Sequence, residues 1–169
     1  MLTKNKQQIK ILIVITGSPG VGKSTLAKYL AKKLKLDRLD LHYYYKRVST
    51  GYNRSKQSYD IDNDKFQNRA KEKLMLSKKG LIIDSHSSHL LPRKLVDICI
   101  ALTCSNLKKL KTRLRKRNYS KKKIKENLDA EIFQICLMEA KEKRHTVLVF
   151  DVAEVMDKNK ILNQVNKLL

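Results

Sequence analysis

The chain has 169 residues, 41% of them hydrophobic and 32% charged, and a formal net charge of +22 with a pI near 10.0. That length suits one domain with a real core, and the apolar run Ile9 to Ile15 is too short to span a bilayer and is followed by a glycine-rich loop, not by a cleavage site, so neither a membrane span nor a leader is expected there. The basic excess points to a polyanionic partner beyond a single nucleotide, nucleic acid first among them, or to lysine enriched generally on solvated faces.

In chain order, Ile11 to Ile15 is a short apolar run that predicts a strand. It leads directly into Gly17-Ser18-Pro19-Gly20-Val21-Gly22-Lys23-Ser24-Thr25, and Ser24 to Leu36 then shows helical spacing. This GxxxxGKS in a strand, loop, helix setting predicts a nucleoside triphosphate site. Backbone N–H groups around Gly20 and Gly22 converge on phosphate only where no Cβ blocks the approach. The helix start adds its unpaired donors and positive dipole end. Lys23 is expected on the β and γ phosphates, Ser24 on Mg²⁺ and Thr25 near the α phosphate of ATP, with Gly17 and Val21 completing the loop.

A weaker strand is expected near Leu39 to Tyr43, and the polar, Tyr-rich stretch Tyr43 to Tyr59 reads as a cover on the substrate side. A helix is predicted from about Asp62 to Ser77, ended by Gly80. The strand Leu81 to Ile83 then delivers Asp84 at its carboxyl end, where a carboxylate can hold a water on Mg²⁺. His86 projects from the same edge and is a candidate to orient a water or relay a proton. His42, His89 and His145 carry a weaker claim.

Strands follow at Ile98 to Leu102 and Val147 to Phe150, with helices at Leu107 to Lys116, Ser120 to Lys143 and Lys158 to Leu169. Ser120 is the expected N-cap of the long one. Alternating strands and helices predict an α/β fold with a doubly wound, five-stranded parallel sheet. Arg113 and Arg117 are four apart on a helix, and their guanidinium forks suit the equatorial oxygens of a transferring phosphoryl group. The surrounding run to Lys125 is too basic for one nucleotide and reads as solvated face or nucleic-acid patch. Cys99, Cys104 and Cys136 lack metal-ligand spacing and read as reduced thiols of a cytoplasmic protein.

The chain resembles the adenylate kinase isoenzyme 6 family of archaea and eukaryotes. The matching pieces are GSPGVGKST from Gly17, the DxH of Asp84 to His86 with Pro92 following, RLxxRxY from Arg113 to Tyr119, and the narrow segment KIKENLDAEIF from Lys123 to Phe133. The likeness covers roughly residues 9 to 152. It implies that residues 1–169 form a single P-loop kinase domain with a monophosphate-binding segment at about 40–62 and a short lid at about 113–125. By likeness Gly20, Gly22, Lys23, Ser24 and Thr25 bind ATP, Arg117 contacts it from the lid, and Asp84 and His86 match the family's Walker B pair. The resemblance also implies transfer from ATP to AMP or a related monophosphate, ATP hydrolysis, and association with the small-subunit ribosomal protein uS11 during rRNA maturation.

Two departures bear on the acceptor. Where the family has acidic residues around its GY, this chain has Gly51-Tyr52-Asn53-Arg54-Ser55-Lys56, and after Pro92 it has Arg93-Lys94 where Glu-Arg is usual. The acceptor is therefore expected near Arg54, Arg93 or Lys94, and lysine and arginine there strengthen RNA contact. Asn118 replaces the Gly before the lid Tyr, a mild change because both tolerate positive φ. A transferase and an ATP-driven ribosome assembly switch both remain open, with a small-metabolite kinase, shikimate-like in its acceptor, as the blander third.

Overall fold

The computed structural model describes residues 10–169, so Ile9 of the predicted apolar run lies outside the described residues. The first half runs β1 (Ile11–Thr16), α1 (Lys23–Leu34), β2 (Asp37–Asp40), α2 (Tyr45–Val48), β3 (Ser49–Asn53), β4 (Ser58–Ile61), α3 (Asn63–Leu76) and β5 (Gly80–Asp84). The second half runs β6 (Ile98–Thr103), α4 (Leu107–Lys116), α5 (Lys121–Ile132), α6 (Ile135–Glu142), β7 (Val147–Asp151) and α7 (Lys158–Asn166). The five-stranded sheet has the order β2-β5-β1-β6-β7 with every pair parallel.

The period of two along β1 builds both cores. Ile13 and Ile15 pack with Leu26, Leu30, Leu110 and Ile161 on one face, and Leu12 and Val14 pack with Phe66, Ala70 and Ala140 on the other. Helices thus cover both faces, as a doubly wound P-loop kinase fold requires. Covering is complete only at the centre: β1 from Leu12, β5 and β6 are buried, whereas the edge strand β7 is half open.

Local signals set the helix starts. The Asp62 carboxylate accepts the N–H groups of Asp64 and Lys65, Asn106 accepts that of Lys109, and Ser120 accepts that of Lys123. Five expectations are corrected. The second strand is Asp37–Asp40, earlier than Leu39 to Tyr43, because Asp40 caps a 3₁₀ turn at Leu41–Tyr44. The Tyr-rich cover contains an antiparallel hairpin, β3 with β4, whose polar exposed residues hide the strand pattern.

Gly80 does not end a helix; it opens β5, where a Cβ would overlap the Ile11 carbonyl of the neighbouring strand. The helix predicted from Ser120 to Lys143 breaks at Gln134, which is left-handed with φ 49°. The break follows from packing: Ile124 joins one core and Ala140 the other, so one straight rod cannot serve both. The last helix stops at Asn166, not at Leu169. Among the described residues no helix is long and apolar enough to cross a membrane.

Candidate functional site

β1 feeds a loop whose three glycines all have positive φ: Gly17 at 137°, Gly20 at 90° and Gly22 at 99°. Gly22 is the N-cap of α1 and offers no side chain to the first-turn donors, which leaves them for an anion. Lys23 sends its ammonium back to the mouth of the loop, donating to the carbonyls of Gly17 at 2.7 Å and Ser18 at 2.8 Å. Burial lowers its pKa to about 8, with Arg117 pushing the same way and Cys136, Asp84 and Glu131 opposing. Val21 is fully buried and anchors the loop in the core.

Ser24, in the first turn of α1, donates its hydroxyl to Asp84 Oδ2 at 2.7 Å. Asp84 ends β5 beside β1, in register with Ile15, and its side chain is 2% exposed. The two groups the sequence pairs for a metal therefore do meet. Their chemistry fits Mg²⁺, which takes hard oxygen donors, keeps several waters and shares substrate phosphates. Among the described residues no group of three or more His, Cys, Asp or Glu is placed to hold a metal ion by itself.

Sequence reasoning missed the third member of the cluster. Arg38 in β2 donates from Nε to Asp84 Oδ1 at 2.7 Å, from Nη2 to Asp84 Oδ2 at 2.9 Å, and from Nη2 to Asp40 Oδ2 at 2.8 Å. The signal present was an arginine inside a four-residue strand, two residues before an aspartate.

His86 follows Asp84 out of β5. Its Nδ1 lies 3.3 Å from the Tyr45 hydroxyl, and burial, with help from Lys23, His89 and Lys123, lowers its pKa to about 4. The ring is neutral at pH 7 and keeps Nε2 for another partner. His89 is spoken for: Nδ1 sits 2.6 Å from Thr16 Oγ1 and Nε2 2.7 Å from Glu139, fastening the end of β1 to α6. His145 is buried beside it, with Nε2 2.8 Å from the His89 carbonyl, and His42 lines the cleft.

Two cavities flank the loop. One, of about 710 Å³, is lined on the loop side by Lys23, Ser24, Asp84 and His86 and on the far side by Tyr45, Tyr52 and Tyr59. The other, of about 570 Å³, lies between Arg113 and Arg117 and the stretch from Val152 to Met156. Gly20, Gly22, Thr25 and Arg117 line both. Arg113 lines only the second and donates to the Gly20 carbonyl at 3.3 Å, so the Arg pair divides instead of acting on one side.

Arg93 turns away to the Val96 carbonyl and the Thr146 hydroxyl, and neither it, Lys94 nor Arg54 lines the first cavity; Lys56 and Lys123 join Lys23 and Arg117 as its cations. The tip of the hairpin reaches the start of α5, where Lys123 Nζ donates to the Gln57 carbonyl at 2.6 Å. Within the KENLDAEIF segment, Glu126 and Asn127 line the cavity, while the buried Glu131 accepts the Cys104 N–H at 2.5 Å and pins α5 to the end of β6.

Comparison with known proteins agrees with this arrangement. A protein family described as "AAA domain" matches residues 13–134. A Schizosaccharomyces pombe protein named adenylate kinase isoenzyme 6 homolog is 37% identical over 142 residues, spanning 83% of this chain and 79% of that one. A Dictyostelium discoideum protein of the same name is 33% identical over 150 residues, spanning 88% and 84%. In three dimensions the chain is similar to a shikimate kinase from Acinetobacter baumannii, with TM-score 0.60 and 14% identity over 95% of this chain and 93% of that one. At that identity the likeness speaks for the fold alone.

Proposed function

The chain belongs to the adenylate kinase isoenzyme 6 family, and on that premise we propose that it transfers the γ-phosphoryl group of ATP to AMP or a related nucleoside monophosphate, and also hydrolyses ATP. The observation that carries this reading is the pair of cavities sharing Gly20, Gly22, Thr25 and Arg117. A triphosphate laid along the loop places its base in the second cavity and its γ-phosphate in the first, facing the Tyr45, Tyr52 and Tyr59 wall that takes the acceptor. In-line transfer then forms a bond from an acceptor phosphate oxygen to the γ-phosphorus and breaks that phosphorus's bond to the β–γ bridging oxygen.

Positioning and charge do most of the work in such a reaction. The loop N–H groups and the Lys23 ammonium hold the donor, and Arg117, which borders both cavities, serves the oxygens in transit. Ser24, and Asp84 through water, would hold Mg²⁺. When bound, that ion would supply charge neutralisation to the phosphates. The contact between Gln57 and Lys123 closes the hairpin toward the lid and limits water.

Lys23 gives a pH test with a definite sign. Its folded pKa of about 8 lies below the ordinary lysine value of 10.5, so between those values the unfolded chain binds more protons and this group's effect is to raise stability with pH. Phosphate binding needs the charged ammonium and moves the opposite way. ADP affinity, measured by titration calorimetry, is expected to fall roughly tenfold from pH 7 to pH 9. An affinity flat to pH 10 would place Lys23 away from the phosphates.

His86 bears on hydrolysis. Held neutral and oriented by Tyr45, it can accept a hydrogen bond from an attacking water. His86→Ala is expected to slow phosphate release from ATP roughly 10²-fold, the lower end of general-base effects, and transfer to AMP much less. Equal losses in the two assays would remove its special role.

The net charge of +22 favours a second reading in which the same ATP cycle works as an assembly switch in small ribosomal subunit maturation, in the cytoplasm, with uS11 or rRNA as partner. RNA affinity that falls steeply with salt and responds to ATP supports this reading. Salt-independent or ATP-indifferent binding counts against it.

A further inference from the structure

We propose that Arg38 is a positioning residue for the metal side of the site: a built-in counter-ion that holds Asp84 aimed at Ser24 and is displaced in part by the divalent cation of the nucleotide complex. This rests on the reading of Ser24 and Asp84 given above.

The geometry is that of a resident cation. Arg38 engages both oxygens of Asp84, at 2.7 and 2.9 Å, and with the Ser24 hydroxyl at 2.7 Å this carboxylate has three donors. An exposed ion pair of this kind would matter little, but the Asp84 side chain is 2% exposed and that of Arg38 is 18% exposed. The guanidinium borders neither cavity, so it acts from behind the wall and touches no substrate.

Arg38 also joins two parts of the cleft. Parallel pairing of β2 with β5 sets Asp40 beside Asp84, and Arg38 Nη2 bridges the two carboxylates. Asp40 in turn accepts the His42 N–H at 3.1 Å and so starts the 3₁₀ turn that carries His42 into the cavity wall. Metal-side and acceptor-side residues are therefore held by one planar fork, which a lysine cannot reproduce.

The electrostatic consequence has a sign. A divalent cation approaching Ser24 meets an Asp84 whose charge is already compensated, and the Arg38 charge itself repels it. Replacing Arg38 by methionine leaves two neighbouring carboxylates without their cation, which costs the metal-free protein stability and raises its appetite for a metal.

The test measures Tm of the full chain, as wild type, Arg38→Met and Arg38→Lys, in three conditions: EDTA alone, ADP with EDTA, and ADP with Mg²⁺. In EDTA, Arg38→Met is expected to melt roughly 6 to 15 °C lower. Its gain on adding Mg²⁺ to the ADP complex is expected to exceed that of wild type by about 3 to 6 °C, the equivalent of tenfold tighter metal binding. Arg38→Lys should fall between. A titration of Mg²⁺ in the transfer assay should show a lower half-saturation together with a reduced kcat, since orientation is lost while attraction grows.

Equal Mg²⁺ increments in all three proteins would overturn the proposal and leave Arg38 a purely structural ion pair. Should Arg38→Met fail to fold, the Arg38→Lys comparison decides by the same criterion. An absence of any ADP effect in wild type would instead refute the nucleotide site itself, a separate and visible failure.

Discussion

Lys23→Ala is expected to abolish phosphoryl transfer and ATP hydrolysis together, by roughly 10³-fold or more, while leaving the melting temperature unchanged or slightly raised. The loss follows from the charge that develops on the transferring group, which a loop of neutral N–H donors meets only in part. Retained stability follows from burial: the ammonium is partly desolvated, as its pKa of about 8 reports, so the folded chain does not depend on it. The Gly17 and Ser18 carbonyls that it contacts belong to buried residues, and the loss of their donor offsets the desolvation that is relieved. Turnover of ATP unchanged in this variant, measured by ADP formation, would refute the assignment of the loop.

Gly17→Ala is expected to damage fold and site at once. The added Cβ would overlap the Leu102 carbonyl oxygen, a backbone atom of β6 that cannot swing aside, and φ of 137° is a conformation L-residues avoid. A cost of about 3 kcal/mol or more, roughly 6 to 12 °C in Tm, is expected, with ADP affinity down about 100-fold as the loop leaves β6. Gly51→Ala is the matched control, since no heavy atom lies within 4 Å of a Cβ built there, and its Tm should move by no more than about 2 °C. Thermal melts of the pair separate a strained loop from a general intolerance of alanine.

The contrast between these glycines shows what the sequence makes legible. The loop from Gly17 to Thr25 is readable because chemistry constrains it locally: donors, a helix start and Lys23 must stand at fixed offsets whatever surrounds them. The central strands β1, β5 and β6 are readable because both faces are buried and their runs are apolar throughout. The hairpin of β3 and β4 is not, because it is only partly buried and built mostly from polar residues and tyrosine.

Long-range packing hid the rest. The break at Gln134 exists because Ile124 and Ala140 belong to opposite cores, a fact invisible to helical periodicity. Gly80 looked like a helix terminator and is instead the point where β5 meets the backbone of Ile11. Arg38 escaped notice because its partner Asp84 is 46 residues away, and only the β2–β5 pairing brings them together. The cations of the first cavity are hard to read for the same reason: Arg93 is taken up by Val96 and Thr146, while Lys56 and Lys123 arrive from the hairpin and from α5.

The most direct test follows the γ-phosphate of ATP when the purified full-length chain is given Mg²⁺ and AMP. With ATP labelled at that position, the label is expected to appear in newly formed ADP, two ADP arising for each ATP consumed, and EDTA should stop the reaction. Label recovered only as inorganic phosphate, at a rate indifferent to AMP, would contradict phosphoryl transfer to a monophosphate and leave the assembly switch as the surviving reading.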